Sequence, residues 1–263
     1  MRLARHHGND PQSDILDEIL STLLEGRVTS VLIGLHWTAV VVEIEGRQRC
    51  GLASTLTRPH YHHGQPDVPQ AGHLQGLPGS ALAALAKAGH PTQASIGVAA
   101  INALLPHLPD AWIDLNAGEV LATHGADKRV ALIGHFPFVD RLRKHVGELA
   151  VLEQNPRPGD LPASSAVEIL PQAEVVAISG TTLINHTLNE LLAMCSAEAV
   201  IILLGPSTPL SPALFDRGVD ILCGSVVTAI QPVLEVVGQG GSFRQVRHAG
   251  VRTVAMSRSG YNI

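Results

Sequence analysis

Aromatic side chains are scarce: Phe, Trp and Tyr together make up 3% of the 263 residues. That excludes the base-stacking platforms of single-stranded nucleic-acid binders. Packing is left to Ala, Val, Leu and Ile, as in helix-covered parallel sheets. Cysteine is scarcer still. Cys50, Cys195 and Cys223 form no CxxC pair, so neither a disulfide framework nor a cysteine-only zinc site is indicated. Basic charge is also short, with 18 Lys and Arg against 23 Asp and Glu and a net charge of -5, which argues against a nucleic-acid partner. No apolar run approaches the roughly 18 residues that suggest a membrane span, and the polar opening MRLARHHGNDPQSD has no signal-peptide core. A cytoplasmic protein without a membrane partner is expected.

What is present is a 45% hydrophobic content, enough for one large core or two ordinary ones. Residues 13–24 (SDILDEILSTLL) read as a capped helix stopped by Gly26. Residues 28–45, interrupted at Gly34-Leu35-His36-Trp37, and then 48–54 read as consecutive antiparallel strands. Residues 57–79 are a long Pro, Gly and His loop, followed by helices over 80–88 and 92–105. The second helix carries Ala94, Gly97 and Ala100, which predicts close backbone packing. No clear element emerges between Pro106 and Lys128, and a domain junction is placed there, dividing the chain into 1–125 and 126–263.

Beyond the junction, short apolar strands at 129–133, 148–152, 174–178, 199–204 and 219–222 alternate with helical segments at 139–146, 182–194, 212–217 and 225–237, and a short element at 164–170. Such alternation predicts an α/β fold, a Rossmann-like parallel sheet with helices on both faces. Ligands of such sheets bind beyond the carboxyl ends of the strands. The residues expected there are Gly134-His135-Phe136-Pro137, Glu153, Ser179-Gly180-Thr181-Thr182, Gly205-Pro206-Ser207-Thr208-Pro209 and Cys223-Gly224-Ser225. Each Ser or Thr also suits plain helix capping, but five converging turns favour a site. Asn185 is close enough in sequence to reach back over Gly180 and Thr181. Glu153 follows Gly134 at the spacing of a ribose-binding acid, yet the G-x-G-x-x-G fingerprint is absent, and NAD is disfavoured. His135 is a candidate metal ligand, proton acceptor or local hydrogen-bonding group. Cys223 is a soft donor or inert packing. His60, His62, His63 and His73 lie in the long loop without the spacing of an ordered metal site.

The turns IGHFPFVDRL, LEQNPRPGDLPAS, SGTTLINHTLNELL and LLGPSTPLSPALFDRGVDILCGS, with the closing EVVGQGG, resemble the family named for putative heavy-metal chelation. LHWTAVVVE, GLAST and SIGVAAINALLP resemble the domain that usually precedes it, which has a fold like the N-terminal domain of enolase. The resemblance implies a smaller α+β enolase-N-terminal-like domain, a Rossmann-like domain and a cleft between them. Its shared motifs fall on Gly134, Glu153, Gly180, Thr181, Thr182, Asn185, Thr187, Gly205, Pro206, Ser207, Thr208, Pro209, Gly224 and, from the first domain, Asn102. His135 and His186 lie inside those motifs without being assigned as ligands.

Two functions compete. In the first, a divalent transition metal is held across the interdomain cleft by His135, Glu153, Cys223 and His36. In the second, an enzyme or sensor binds a small anionic or nucleotide-like metabolite through the Gly, Ser and Thr turns. Neither reading identifies a reaction, and self-association as a homo-oligomer stays open.

Overall fold

A computed structural model describes residues 14–58, 65–259, 261 and 263. It begins with α1 (Ile15–Ser21), whose Asp14 cap accepts the Leu16 N–H. Three antiparallel strands follow in the order expected, β1 (Arg27–Ile33), β2 (Trp37–Ile44) and β3 (Arg47–Ser54). Their alternating residues serve two cores. Val40 and Val42 face the cluster that contains α3 (Pro91–Leu104), reached through the short α2 (Gly79–Ala83). Ala39, Val41 and Leu52 pack instead with Val233, Val237 and Val246 from the far end of the chain. This small sheet is buried on both faces, and the C-terminal half supplies one of the covers.

The small residues of α3 do bring backbones together. A Cβ on Gly97 would lie 1.9 Å from the Ala86 nitrogen, and one on Gly51 would lie 2.1 Å from the Ala99 carbonyl oxygen. Gly97 therefore seats the helix on the Ala84–Lys87 turn, while Gly51 admits it to β3. The segment left unassigned before Lys128 holds a helix, α4 (Ala117–His124), fixed by a reciprocal cap between Asn116 and Glu119. Its Val120 and Leu121 pack with Val130 and Leu132 of the large sheet.

That sheet has the order β10-β9-β8-β7-β4-β5-β6. β4 (Arg129–Ile133), β5 (Glu148–Glu153), β7 (Val175–Ser179) and β8 (Val200–Leu204) match the predicted strands to within a residue, and all pair in parallel. The connecting α5 (Val139–Leu142), α6 (Ala166–Ile169), α7 (Leu188–Met194) and α8 (Ala213–Asp216) are shorter than expected. The expected 182–194 helix breaks where His186 takes a φ of 61°. β6 (Leu161–Pro162) is a two-residue edge. Three features at the C-terminal end depart from the sequence reading. β9 runs from Ile221 to Val227, so Cys223-Gly224-Ser225 is strand interior rather than a turn. The helix expected from Ser225 begins only at Ile230, as α9 (Ile230–Gly238), and α10 (Phe243–Gly250) then leads into β10 (Val251–Ser257). β10 closes the edge antiparallel to β9, pairing Ala255 with Cys223. The fold is thus a mostly parallel, Rossmann-like sheet flanked by helices, with a smaller antiparallel sheet at the N-terminal end.

Candidate functional site

The chain direction across the large sheet reverses beside β4. β5 and β6 are laid on one side of it, and β7, β8 and β9 on the other. The crevice left at the carboxyl ends of β4 and β7 is where an open α/β sheet binds ligands. Here it is a cleft of ≈ 680 Å³. Gly134 and Gly205 leave β4 and β8 at φ 105° and 108°, a backbone region that costs other residues strain. Gly180 is needed for proximity, since a Cβ there would sit 2.6 Å from the Thr208 nitrogen.

Two acids organise the cleft, one at the end of β5 and one in the loop that follows it. Glu153 accepts the His135 N–H at 2.8 Å through Oε1 and the Gln154 N–H at 3.0 Å through Oε2, tying the β4 exit to the end of β5. Asp160, from the following loop, meets His135 Nδ1 at 2.9 Å, and its side chain is only 1% exposed. Burial by itself would raise the Asp160 carboxyl, but the Arg157 N–H and the bond and charge of His135 outweigh it and hold the group below the usual carboxylate range. With Nδ1 so occupied, the His135 tautomer and ring plane are set by the acid, and Nε2 has no protein partner among the described residues. Asp160 was missed in the sequence reading, because nothing in RPGDLP reveals that the loop folds back under His135.

The rest of the lining carries hydroxyls. Ser179 Oγ and Thr181 Oγ1 lie 2.8 Å apart, Thr182 donates to the Ser179 carbonyl at 2.7 Å, and Asn185 Oδ1 accepts from the Thr187 hydroxyl at 2.7 Å. Asn185 thus closes a local turn. Ser207 accepts the Ser54 N–H at 2.9 Å, so β3 forms part of the opposite wall together with Trp37. The Trp37 indole N–H is buried without a hydrogen-bond partner among the described residues, and its ring lies 5.2 Å from that of Phe243.

The expected metal quartet is not brought together. His135 and Glu153 line the cleft, but His36 is exposed at the β1–β2 turn and is not among the lining residues. Cys223 is 4% exposed within β9, and burial pushes its thiol up to about 12. Cys50 is likewise pushed up to about 12 by burial. Among the described residues no group of three or more His, Cys, Asp or Glu is placed to hold a metal ion. His60, His62 and His63 lie outside the described residues. His186 turns away and donates from Nε2 to the Ala88 carbonyl at 3.0 Å. Asn102 holds the Leu52 carbonyl at 2.8 Å, and with Thr208 it lines a separate small cavity, while Gly224 lines a third. The Gly, Ser and Thr turns of the anionic reading do line the cleft, as do Glu153 and Glu190, and no Lys or Arg does.

Residues 116–256 match a family described as "Putative heavy-metal chelation", and residues 16–105 match a second family of the same description. An uncharacterized protein of Methanocaldococcus jannaschii is 28% identical over 196 residues, covering 72% of this chain and 74% of that protein. The crystal structure of a protein of unknown function from Desulfitobacterium hafniense, a member of the first family, superposes with a TM-score of 0.79 at 27% identity, over 93% of this chain and 98% of that one. A Pyrococcus horikoshii member at 23% identity shares the fold, with a TM-score of 0.75 over 93% of this chain and all of its own.

Proposed function

Because the chain belongs to the family described by heavy-metal chelation, we propose that it binds a metal ion in the strand-end cleft through His135 Nε2, with further donors supplied by a small polar molecule bound alongside. The carrying observation is the Asp160–His135 pair opening on that cleft. A carboxylate on one imidazole nitrogen raises the basicity of the other and orients it, the usual second partner of a histidine ligand. A protein-only cage does not fit the described residues, since no three donors converge. Glu153 spends both oxygens on backbone N–H groups, and Cys223 lies outside the cleft, buried, with its thiol pushed up to about 12. A cleft rich in hydroxyls and free of Lys and Arg accommodates a neutral or cationic ligand or a metal complex more readily than a free anion.

Zinc titration by calorimetry on untagged protein tests this reading. One saturable site should disappear in His135→Ala and weaken by about 10–100-fold in Asp160→Asn, the range typical of outer partners of a ligand. Unchanged stoichiometry and affinity in His135→Ala would sink the proposal. A carboxylate-held imidazole is also the arrangement of a general base, so proton abstraction from an organic ligand is the second reading, favoured if turnover persists with chelator present. For the domain plan we place the division within 106–115, which groups α4 with the large sheet it packs on and lies upstream of the expected position near 125.

A further inference from the structure

A second cavity, of ≈ 580 Å³, lies beside the cleft, and the two share a wall made by Phe136, Pro137, Gly205, Pro206 and Phe243. Its interior is apolar. Leu204 and Cys223 contribute from the strands, and Phe136 and Phe138 stand stacked, with centroids 5.3 Å apart and planes at 16°. Its charged residues are all of one sign. Arg141 from α5 and Arg244 and Arg247 from α10 line it, and no Asp or Glu does.

That concentration runs against the charge of the chain, in which 23 acidic residues outnumber 18 basic ones. Several arginines elsewhere in the molecule are paired with acids. Arg252 is held by Asp114 at 2.7 Å, Arg258 by Asp220 at 3.1 Å and Arg217 by Glu18 at 2.8 Å. Arg141, Arg244 and Arg247 have no side-chain hydrogen bond or ion pair among the described residues. The first turns of α4 and α10 also border the cavity, and their positive ends add to the same field.

We propose that this cavity binds a small organic anion, its flat apolar body against Phe136 and Phe138 and its carboxylate or phosphate oxygens on the three arginines. Planar guanidinium forks match such oxygens in bidentate fashion, and a volume of this size suits a ligand of a few hundred daltons. The inference rests on the lining of this second cavity and stands apart from the reading of the cleft.

The probe is 8-anilinonaphthalene-1-sulfonate, with the uncharged N-phenyl-1-naphthylamine as its counterpart. The sulfonate should bind saturably, at one molecule per chain, with enhanced fluorescence. The double variant Arg244→Gln/Arg247→Gln, altered only at exposed positions of α10, should weaken it about tenfold or more while leaving the neutral probe unaffected. Arg244→Lys/Arg247→Lys should restore much of the binding. Benzoate and phenyl phosphate, titrated separately as competitors, distinguish a carboxylate ligand from a phosphorylated one. Equal sulfonate affinity in the Gln variant, an equal loss for both probes, or no displacement by either competitor would overturn the site.

Discussion

Replacing Ser207 by Ala removes the hydroxyl that joins the N-terminal sheet to the strand-end loops. Ser207 is 1% exposed; its Oγ accepts the Ser54 N–H at 2.9 Å and donates to Ser54 Oγ at 3.2 Å. Alanine fills nearly the same space, so no large cavity term enters. What remains is a backbone donor with no acceptor in a place water reaches poorly, a loss of about 1–3 kcal/mol. The second bond adds little, because Ser54 lines the open cleft and its hydroxyl can turn to solvent. With roughly 2–4 °C per kcal/mol for chains of this size, a loss of about 2 kcal/mol lowers the melting temperature by about 4–8 °C. Circular-dichroism melts and urea curves measure the stability, and hydrogen exchange at the Ser54 amide reports on the bond itself. Ser225→Ala is the control, since the Ser225 hydroxyl makes only a long bond of 3.3 Å to the Pro206 carbonyl. A melting temperature within about 1 °C of the parent, with Ser54 protection intact, would refute the reasoning.

Gly97→Ala should destabilise by about 1–3 kcal/mol, the usual range for overpacking, because the new methyl would sit 1.9 Å from the Ala86 nitrogen; denaturant midpoints read the change. His124 should make stability fall on the acid side. Burial first, then the charge of Lys128, lowers its folded pKa below the ordinary 6.5, against a smaller opposing pull from Asp220. The unfolded chain then takes up the proton more readily. The contribution is therefore complete above pH 6.5 and is lost as the pH falls through the folded value. His124→Gln should flatten urea midpoints measured downward from pH 7, and an unchanged slope would count against the assignment. Cys50 and Cys223, both buried with thiols pushed up to about 12, should resist a thiol reagent at pH 8 in the native protein and react on unfolding. Prompt labelling of either in the folded state would contradict their placement.

Local pattern was enough wherever an element satisfies itself. The strands β4, β7 and β8 announce themselves as short Val, Leu and Ile runs ended by Gly or Ser, because strands buried on both faces carry little else, and β5 as an apolar run ended by Glu153. α4 escaped notice because its apolar face is only Val120 and Leu121, although the Asn116 and Glu119 cap was written in the chain. The extension of β9 through Cys223-Gly224-Ser225 was hidden for a different reason. Those residue types usually mark a turn, and β10, arriving from Val251 onward, supplies the hydrogen bonds that keep them extended.

The sequence by itself determined a parallel sheet, the absence of a dinucleotide fingerprint and the set of strand-end turns, since each depends on neighbours within a few residues. It also carried Gly134, His135, Glu153, Gly180, Gly205 and Ser207 into one cleft, because the rule for open α/β sheets sends every strand-end loop to the same edge. Only the tertiary structure decided what those residues do there. Asp160 reaches His135 across a folded loop, Ser54 and Trp37 arrive from another sheet, and Cys223 and His36 are kept away from the cleft. Arg141 and Arg247 stand more than a hundred positions apart in the chain yet line one cavity. Contacts at that sequence separation are set by how helices and sheets pack, and no local pattern encodes them.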